Sequence, residues 1–283
     1  MAFYHMKTTR LLGLLLSCLF QASTLQAAEP SRPVPKGYKL QYEQRFQNEA
    51  SLKDFNFSDA KAWRYAQDKE GGSLELHGKS QYTPKHRSPF NIALLADRSF
   101  EDFVLEVEIQ STVKPYAHQD LCLFFGYQTP EHFYYVHLAA KPDPIKAESH
   151  AHDIFLVKDA PRLAVAKEVS TGIAWGEKLW HSVRIERNAS MGTIRVFFNG
   201  SKEPIMHGAD TTFRSGHLGL GSFDDKGKFR NLRVWAPSAK HKKAEFFKPK
   251  SGSRILGASR PTSKLLQDQR IALVGTPWND VQR

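Results

Sequence analysis

The side chains with the most chemistry to offer sit in one short run, FYYVHLA at residues 133–139, where Tyr135 and His137 stand two apart. On an extended strand, residues two apart share a face, so phenol and imidazole would point at one place. Sugar sites are built this way, with rings for stacking and a few convergent polar groups for hydroxyls. Adding a cation makes a set suited to β-elimination from a uronic acid. One group removes the proton at C5, a second donates to the leaving oxygen, and an arginine neutralises the carboxylate. Arg162 and Arg87 are candidates for that cation. The competing reading packs Tyr135 and His137 under a loop. A cleft-lining His137 is expected to be partly solvated; a packed one is not.

Other polar residues fall around the same strands. His118 and Asp120 flank the start of DLCLFFGYQT and are expected to line the same cleft. In SHAHDIFLV, extended geometry would align His150 with His152, and His137 would complete three imidazoles, a metal-type set. An exposed polar loop explains the same spacing, so no metal is assigned. His152 and Asp153 are placed in the sugar pocket, where a loop enters a core strand. Trp175, in the loop-like STGIAWGEK, is read as a stacking platform, and Trp180 as a structural ring at a strand start. Asp224-Asp225 beside glycine reads as a turn, with calcium and its hard oxygen ligands as the alternative. Cys122, inside LCLFF, reads as a small buried apolar side chain.

The elements that must position these groups are strands. Phe103, Leu105, Val107 and Ile109 alternate with Glu106, Glu108 and Gln110, a period-two pattern. The alternating glutamates read as a solvated face. Leu121, Leu123, Phe125 and Tyr127 repeat the pattern with apolar residues on the second face too, which predicts a central strand. Further strands are expected at Val183–Ile185, Ile194–Phe198, Leu218–Leu220 and Phe229–Trp235, with Asn199-Gly200 as a turn between two of them. No long amphipathic helix is evident. Many short strands separated by turns predict an all-β antiparallel sandwich or jelly roll.

The ends of the chain differ from its middle. Lys7 and Arg10 precede LLGLLLSCLF and a small-residue exit at Ala27-Ala28, which reads as a secretory signal peptide over residues 1–27. The alternative is a lipoprotein box with lipidation at Cys18. The apolar run is shorter than the ~20 residues a bilayer span needs. The expected location is secreted or periplasmic. Removing the leader leaves Cys122 alone, so no intrachain disulfide is expected. The 283-residue chain carries a formal +11, but residues 237–283 hold ten Lys/Arg against three Asp/Glu, and residues 1–27 supply two more positives. Residues 28–236, the expected sandwich domain, are therefore nearly neutral, which argues against specific nucleic-acid binding. The basic, aperiodic segment 237–283 is expected to be a flexible tail able to contact anionic surfaces.

The segments SFEDFVLEVEI, FYYVHLA, WHSVRIER, GTIRVFFNG and GHLGLGSFDD…FRNLRVW follow in the order of the concanavalin A-like lectin/glucanase superfamily. Within it the chain resembles LamG-like domains and secreted bacterial 3-keto-disaccharide hydrolase-like domains. The resemblance covers about residues 80–235 and implies a jelly roll that engages carbohydrate. It implies little about chemistry, because many functions share this scaffold. The glucanases of the superfamily carry two glutamates in E-x-D-x-x-E, and Leu105-Glu106-Val107-Glu108-Ile109 lacks that spacing. The functions expected are a glycoside hydrolase, a non-catalytic glycan-binding or adhesion module, or a lyase using His, Tyr and Arg, in each case as a monomer.

Overall fold

A computed structural model describes Met1 and residues 30–141, 152–241, 243 and 245–247. The expected cleavage after Ala27, Cys18, His150 and most of the basic C-terminal segment lie outside the described residues. The chain divides into two compact units, Met1–Pro33 and Val34–Arg283. In the first, only Met1 and residues 30–33 are described; all the described strands and polar clusters belong to the second.

Strands are the main regular structure among the described residues, with two short 3-10 turns beside them. In chain order these are β1 (Lys39–Gln44), β2 (Phe55–Phe57), β3 (Trp63–Asp68), β4 (Gly71–Leu76), β5 (Asn91–Leu95), β6 (Arg98–Ser99), β7 (Phe103–Ser111), β8 (Asp120–Thr129) and β9 (His132–Ala139). The remainder are β10 (Asp153–Lys158), β11 (Leu163–Ala164), β12 (Ala166–Val169), β13 (His181–Arg187), β14 (Thr193–Phe198), β15 (Met206–Ala209), β16 (His217–Ser222), β17 (Gly227–Ala236) and β18 (Lys240–His241). Two short 3-10 turns, Glu49–Asp54 and Ala60–Ala62, are opened by the Asn48 and Asp59 side chains, which accept from Ala50 and Lys61 N–H.

The strands form an antiparallel jelly-roll sandwich, as the alternation requires. Sheet A has nine strands in the order β12-β15-β14-β13-β7-β17-β4-β3, with β1 also on β17. Sheet B has seven, β11-β10-β9-β8-β16-β5-β2. One strand, β17, serves two partners beyond β7, pairing with β4 at its start and β1 at its end. Its register shifts between Arg230 and Arg233, around Asn231 at φ 52°. The inner faces interlock through Leu105, Val107, Ile109, Val183 and Ile185 of sheet A and Leu121, Leu123, Phe125, Val136 and Leu138 of sheet B, all fully buried. Each such side chain contributes about 1.5–3 kcal/mol by leaving water.

Sheet B is buried on its outer face as well. Ile92, Leu94, Cys122, Phe124, Tyr127, Phe133, Tyr135, Phe155 and Val157 form a second apolar cluster there. Tyr127 was expected beside Leu121, Leu123 and Phe125. It lies on the opposite face because Gly126, at φ 57°, adopts a left-handed conformation where the β8–β9 register shifts. An extra residue in a strand moves everything after it to the other face. Asn199 and Gly200 do make a left-handed turn (φ 49° and 70°), closed by Ser201 N–H to Phe198 O at 3.0 Å. The next strand nevertheless starts only at Met206.

Of the alternating glutamates, Glu106 is not solvated, while Glu108 is half-exposed. Glu106 is 4% exposed and lies 2.8 Å from Arg184 and 3.3 Å from Arg233, its cross-strand neighbours on β13 and β17. Glu108 meets Arg230 at 2.6 Å and Asn231 at 3.0 Å. Arginines on the flanking strands turn this face into an ion-pair ladder. Beyond residue 236, Lys240–His241 pairs with β6, and Phe246 and Phe247 sit against Tyr127, His217 and Tyr82 on the outer cluster of sheet B.

Candidate functional site

The outer face of sheet B is laid out by register. Asp153, His137 and Cys122 stand opposite one another across β10, β9 and β8, and Phe155, Tyr135 and Phe124 form the next row. Asp120, two residues before Cys122, shares its face. The sequence could place Tyr135 with His137; only strand pairing brings them to Asp120 and Cys122.

Asp120 is the anchor of the patch. Its Oδ2 accepts Phe223 N–H at 2.8 Å, and lies 3.4 Å from His137 Nε2 and 3.5 Å from Cys122 Sγ. The Ser222 hydroxyl is 3.3 Å from both carboxylate oxygens. Asp225 fixes the same corner by accepting Asp120 N–H at 2.8 Å and the Tyr116 hydroxyl at 2.7 Å. The loop between β16 and β17 is thus bound to the first residues of β8. Burial, and secondarily the Asp120 charge, pushes the Cys122 thiol well up. Burial also lifts Asp225 to about 6 against the pull of its hydrogen bonds.

Rings surround the imidazole. Tyr135, Phe155 and Phe223 lie 6.2, 6.3 and 6.2 Å from His137, all edge-on. Arg162, half-buried after β10, donates to the Tyr135 hydroxyl at 3.0 Å and lies over the rings of Phe155 (4.5 Å) and Phe223 (5.1 Å). Burial raises the Tyr135 phenol, and Arg162 opposes that rise. Arg87 also stands over Phe223, at 5.9 Å, and Lys79 over Phe90, at 5.5 Å. These cations rim one aromatic floor.

The structure therefore brings together Tyr135, His137, Asp120 and Arg162. Asp153 borders them; burial raises its carboxyl, while Ile154 and Ala166 N–H, bonded to its Oδ1, lower it. His118 is on the exposed rim, 6.1 Å from the Tyr116 ring. Contrary to expectation, His137 is 5% exposed and Tyr135 fully buried, so neither is a solvated cleft wall.

Two expected residues are placed elsewhere. His152 caps a strand end: its Nδ1 accepts Ala139 N–H at 3.2 Å and its Nε2 meets the Ser170 hydroxyl at 3.2 Å. Burial, and secondarily the nearby His137, lowers it to about 4. Trp175 is not a stacking platform. It is 3% exposed inside the main core and donates its indole N–H to Gln119 O at 3.1 Å. The half-exposed ring is Trp180, with Arg230 4.0 Å above it. Asp224 is exposed and Asp225 turned inward, so the pair is not a shared oxygen cage. Sequence reasoning did not place Cys122, Phe155 or Phe223 in the site. Cys122 had one legible signal, its two-residue spacing from Asp120.

A separate cavity of about 570 Å³ opens on sheet A, lined by Tyr38, Asp102, Arg187, Met191, Arg195 and His207 among others. It contains none of the residues above.

No protein-family model matches the chain, and no curated protein matches it. Among solved structures, it is similar to a carbohydrate-binding module from Bacillus subtilis, with 17% identity over 63% of this chain and 93% of the other, and TM-score 0.44. It is also similar to domain 4 of an extracellular arabinanase from Geobacillus stearothermophilus (14%, 70% and 93%, TM-score 0.41). A third is the winged bean acidic lectin (12%, 72% and 100%, TM-score 0.44). All three TM-scores lie below 0.5, and nothing about this chain's role follows from them.

Proposed function

We propose that this protein binds carbohydrate on the outer face of sheet B, and that acidic, uronate-containing glycans are its preferred class. The observation that supports this is the half-exposed Arg162 guanidinium over the rings of Phe155 and Phe223, with Tyr135, His137 and Asp120 packed beneath it. Arg162 presents a planar, half-exposed fork suited to a carboxylate, and Arg87 and Lys79 add positive field at the same rim. The reading carries with it a LamG-like ancestry, export after residue 27 and a monomeric state.

Hydrolysis is the weaker enzymatic reading. A glycosidase needs two carboxyls flanking the bond. Here Asp120 is engaged by Phe223 N–H, Ser222 and His137, and Asp153 by backbone N–H groups. Elimination is the second reading, favoured by His137 3.4 Å from Asp120 and Tyr135 beside a cation: an imidazole oriented by a carboxylate and a polarised phenol are acid–base partners. Calorimetry with oligouronides and with neutral oligosaccharides, followed by ultraviolet absorbance, tests both. Acidic-glycan binding without new absorbance supports the binding module. Growth of unsaturated-uronate absorbance supports the lyase. Failure of every acidic glycan to bind refutes the proposal.

A further inference from the structure

The geometry points to a metal site that shares Asp120 and His137 with the glycan patch, does not rest on its binding sugar, and would replace the His137–Asp120 contact of the elimination reading: we propose that Asp120, Cys122 and His137 bind one Zn2+ through Oδ2, Sγ and Nε2, leaving a fourth position open. Their ligand atoms all lie within 4.8 Å of one another, and all three residues are buried. Two of the three ligand–ligand distances match a tetrahedral zinc, and the third lies within 4.8 Å. With Zn–S about 2.3 Å and Zn–N and Zn–O about 2.0 Å at tetrahedral angles, sulfur and oxygen stand about 3.5 Å apart and nitrogen and oxygen about 3.3 Å. The structure has Cys122 Sγ 3.5 Å and His137 Nε2 3.4 Å from Asp120 Oδ2.

The donor set also selects the ion. One thiolate, one imidazole and one carboxylate form a mixed-softness set that suits Zn2+ and not Ca2+ or Mg2+, which take oxygen. Three protein ligands with a vacant fourth position is the arrangement of zinc sites that act on a bound molecule, where four ligands would be structural. The surroundings orient the carboxylate. Phe223 N–H and the Ser222 hydroxyl hold Asp120 from outside, as outer partners hold metal ligands. Strand pairing fixes the rest, because Cys122 and His137 are directly opposed in register and Asp120 shares their face through the period of two. A water, or an oxygen of a bound ligand, would fill the fourth position.

The test uses the full, untagged chain stripped of metal by chelation. Zn2+ retention is measured by dialysis and elemental analysis, and Co2+ is titrated as an optical probe. One Zn2+ per chain is expected, with a near-ultraviolet thiolate-to-cobalt band that saturates at one equivalent and disappears on Zn2+ addition. Cys122→Ser should lose the band and weaken Zn2+ at least tenfold with an unchanged circular dichroism spectrum. Asp120→Asn should also weaken Zn2+ at least tenfold; should it fail to fold, His137→Gln takes its place. Absence of both band and retained Zn2+ in the native protein overturns the proposal. So does a band that survives Cys122→Ser, since Cys18 would then be its source, or full affinity in the folded Asp120 or His137 variant.

Discussion

Replacing Arg162 with methionine tests the candidate glycan site directly. The change keeps a long flexible stem over the rings and removes the guanidinium. The bond to the buried Tyr135 hydroxyl at 3.0 Å is lost, and a hydrogen bond to a charged group is worth about 1.5–3 kcal/mol. Two ring contacts at 4.5 and 5.1 Å are lost as well, at about 0.5–1 kcal/mol each for a half-exposed cation. Water can replace part of the hydrogen bond because Arg162 is half-exposed. The expected net loss is about 2–3 kcal/mol, or roughly 4–12 °C in Tm for a domain of this size. The assay is urea unfolding of Arg162→Met, Tyr135→Phe and the double variant. The two side chains touch, so the cycle should return a coupling of about 1–2 kcal/mol. The same Arg162→Met protein should bind acidic oligosaccharides at least tenfold more weakly, about 1.4 kcal/mol. A coupling of zero in folded proteins would refute the Arg162–Tyr135 contact. Unchanged affinity for acidic glycans would refute the assignment of Arg162 to the site.

Glu106→Gln should destabilise the fold by about 1–3 kcal/mol, because it removes the charge shared by Arg184 and Arg233 in a buried network while Arg184 keeps Glu186 at 2.8 Å; a melting curve matching the native one would contradict this, and glycan binding should be unaffected. Phe246→Ala and Phe247→Ala should each cost about 1–2 kcal/mol, since the rings are half-buried against Tyr127 and Tyr82; equal stability on chemical unfolding would show that the segment does not dock in solution. His152 has a folded pKa near 4, below the unfolded value, so its stabilisation is complete above about pH 6.5 and lost as pH falls towards 4. His152→Gln should therefore flatten the acid side of the stability profile relative to the native protein, whereas Asp225, raised to about 6, acts in the opposite direction in both proteins. Intact mass of exported protein should show a chain beginning at Ala28; a lipid-modified Cys18 terminus would replace that reading.

The alternation of apolar and polar residues determined the fold class by itself. Phe103 to Ile109 and Ile194 to Phe198 can bury one face only as strands, and strands without helices can only cover each other. The same period put Tyr135 and His137 on one face, and that pairing holds. What the period could not give is which strand lies beside which, because hydrogen bonding between strands is long-range and carries no local mark. Hence Asp120 and Cys122 join His137 only through β8–β9 register, and Phe223 and Arg162 only through loops that fold over the sheet. Sidedness fails the sequence wherever the chain is irregular. One left-handed glycine moves Tyr127 across the sheet, and the ends of strands turn His152 into a backbone cap and Trp175 into a core ring. Burial, too, is a tertiary property: Glu106 looks solvated until Arg184 and Arg233 on two neighbouring strands close over it.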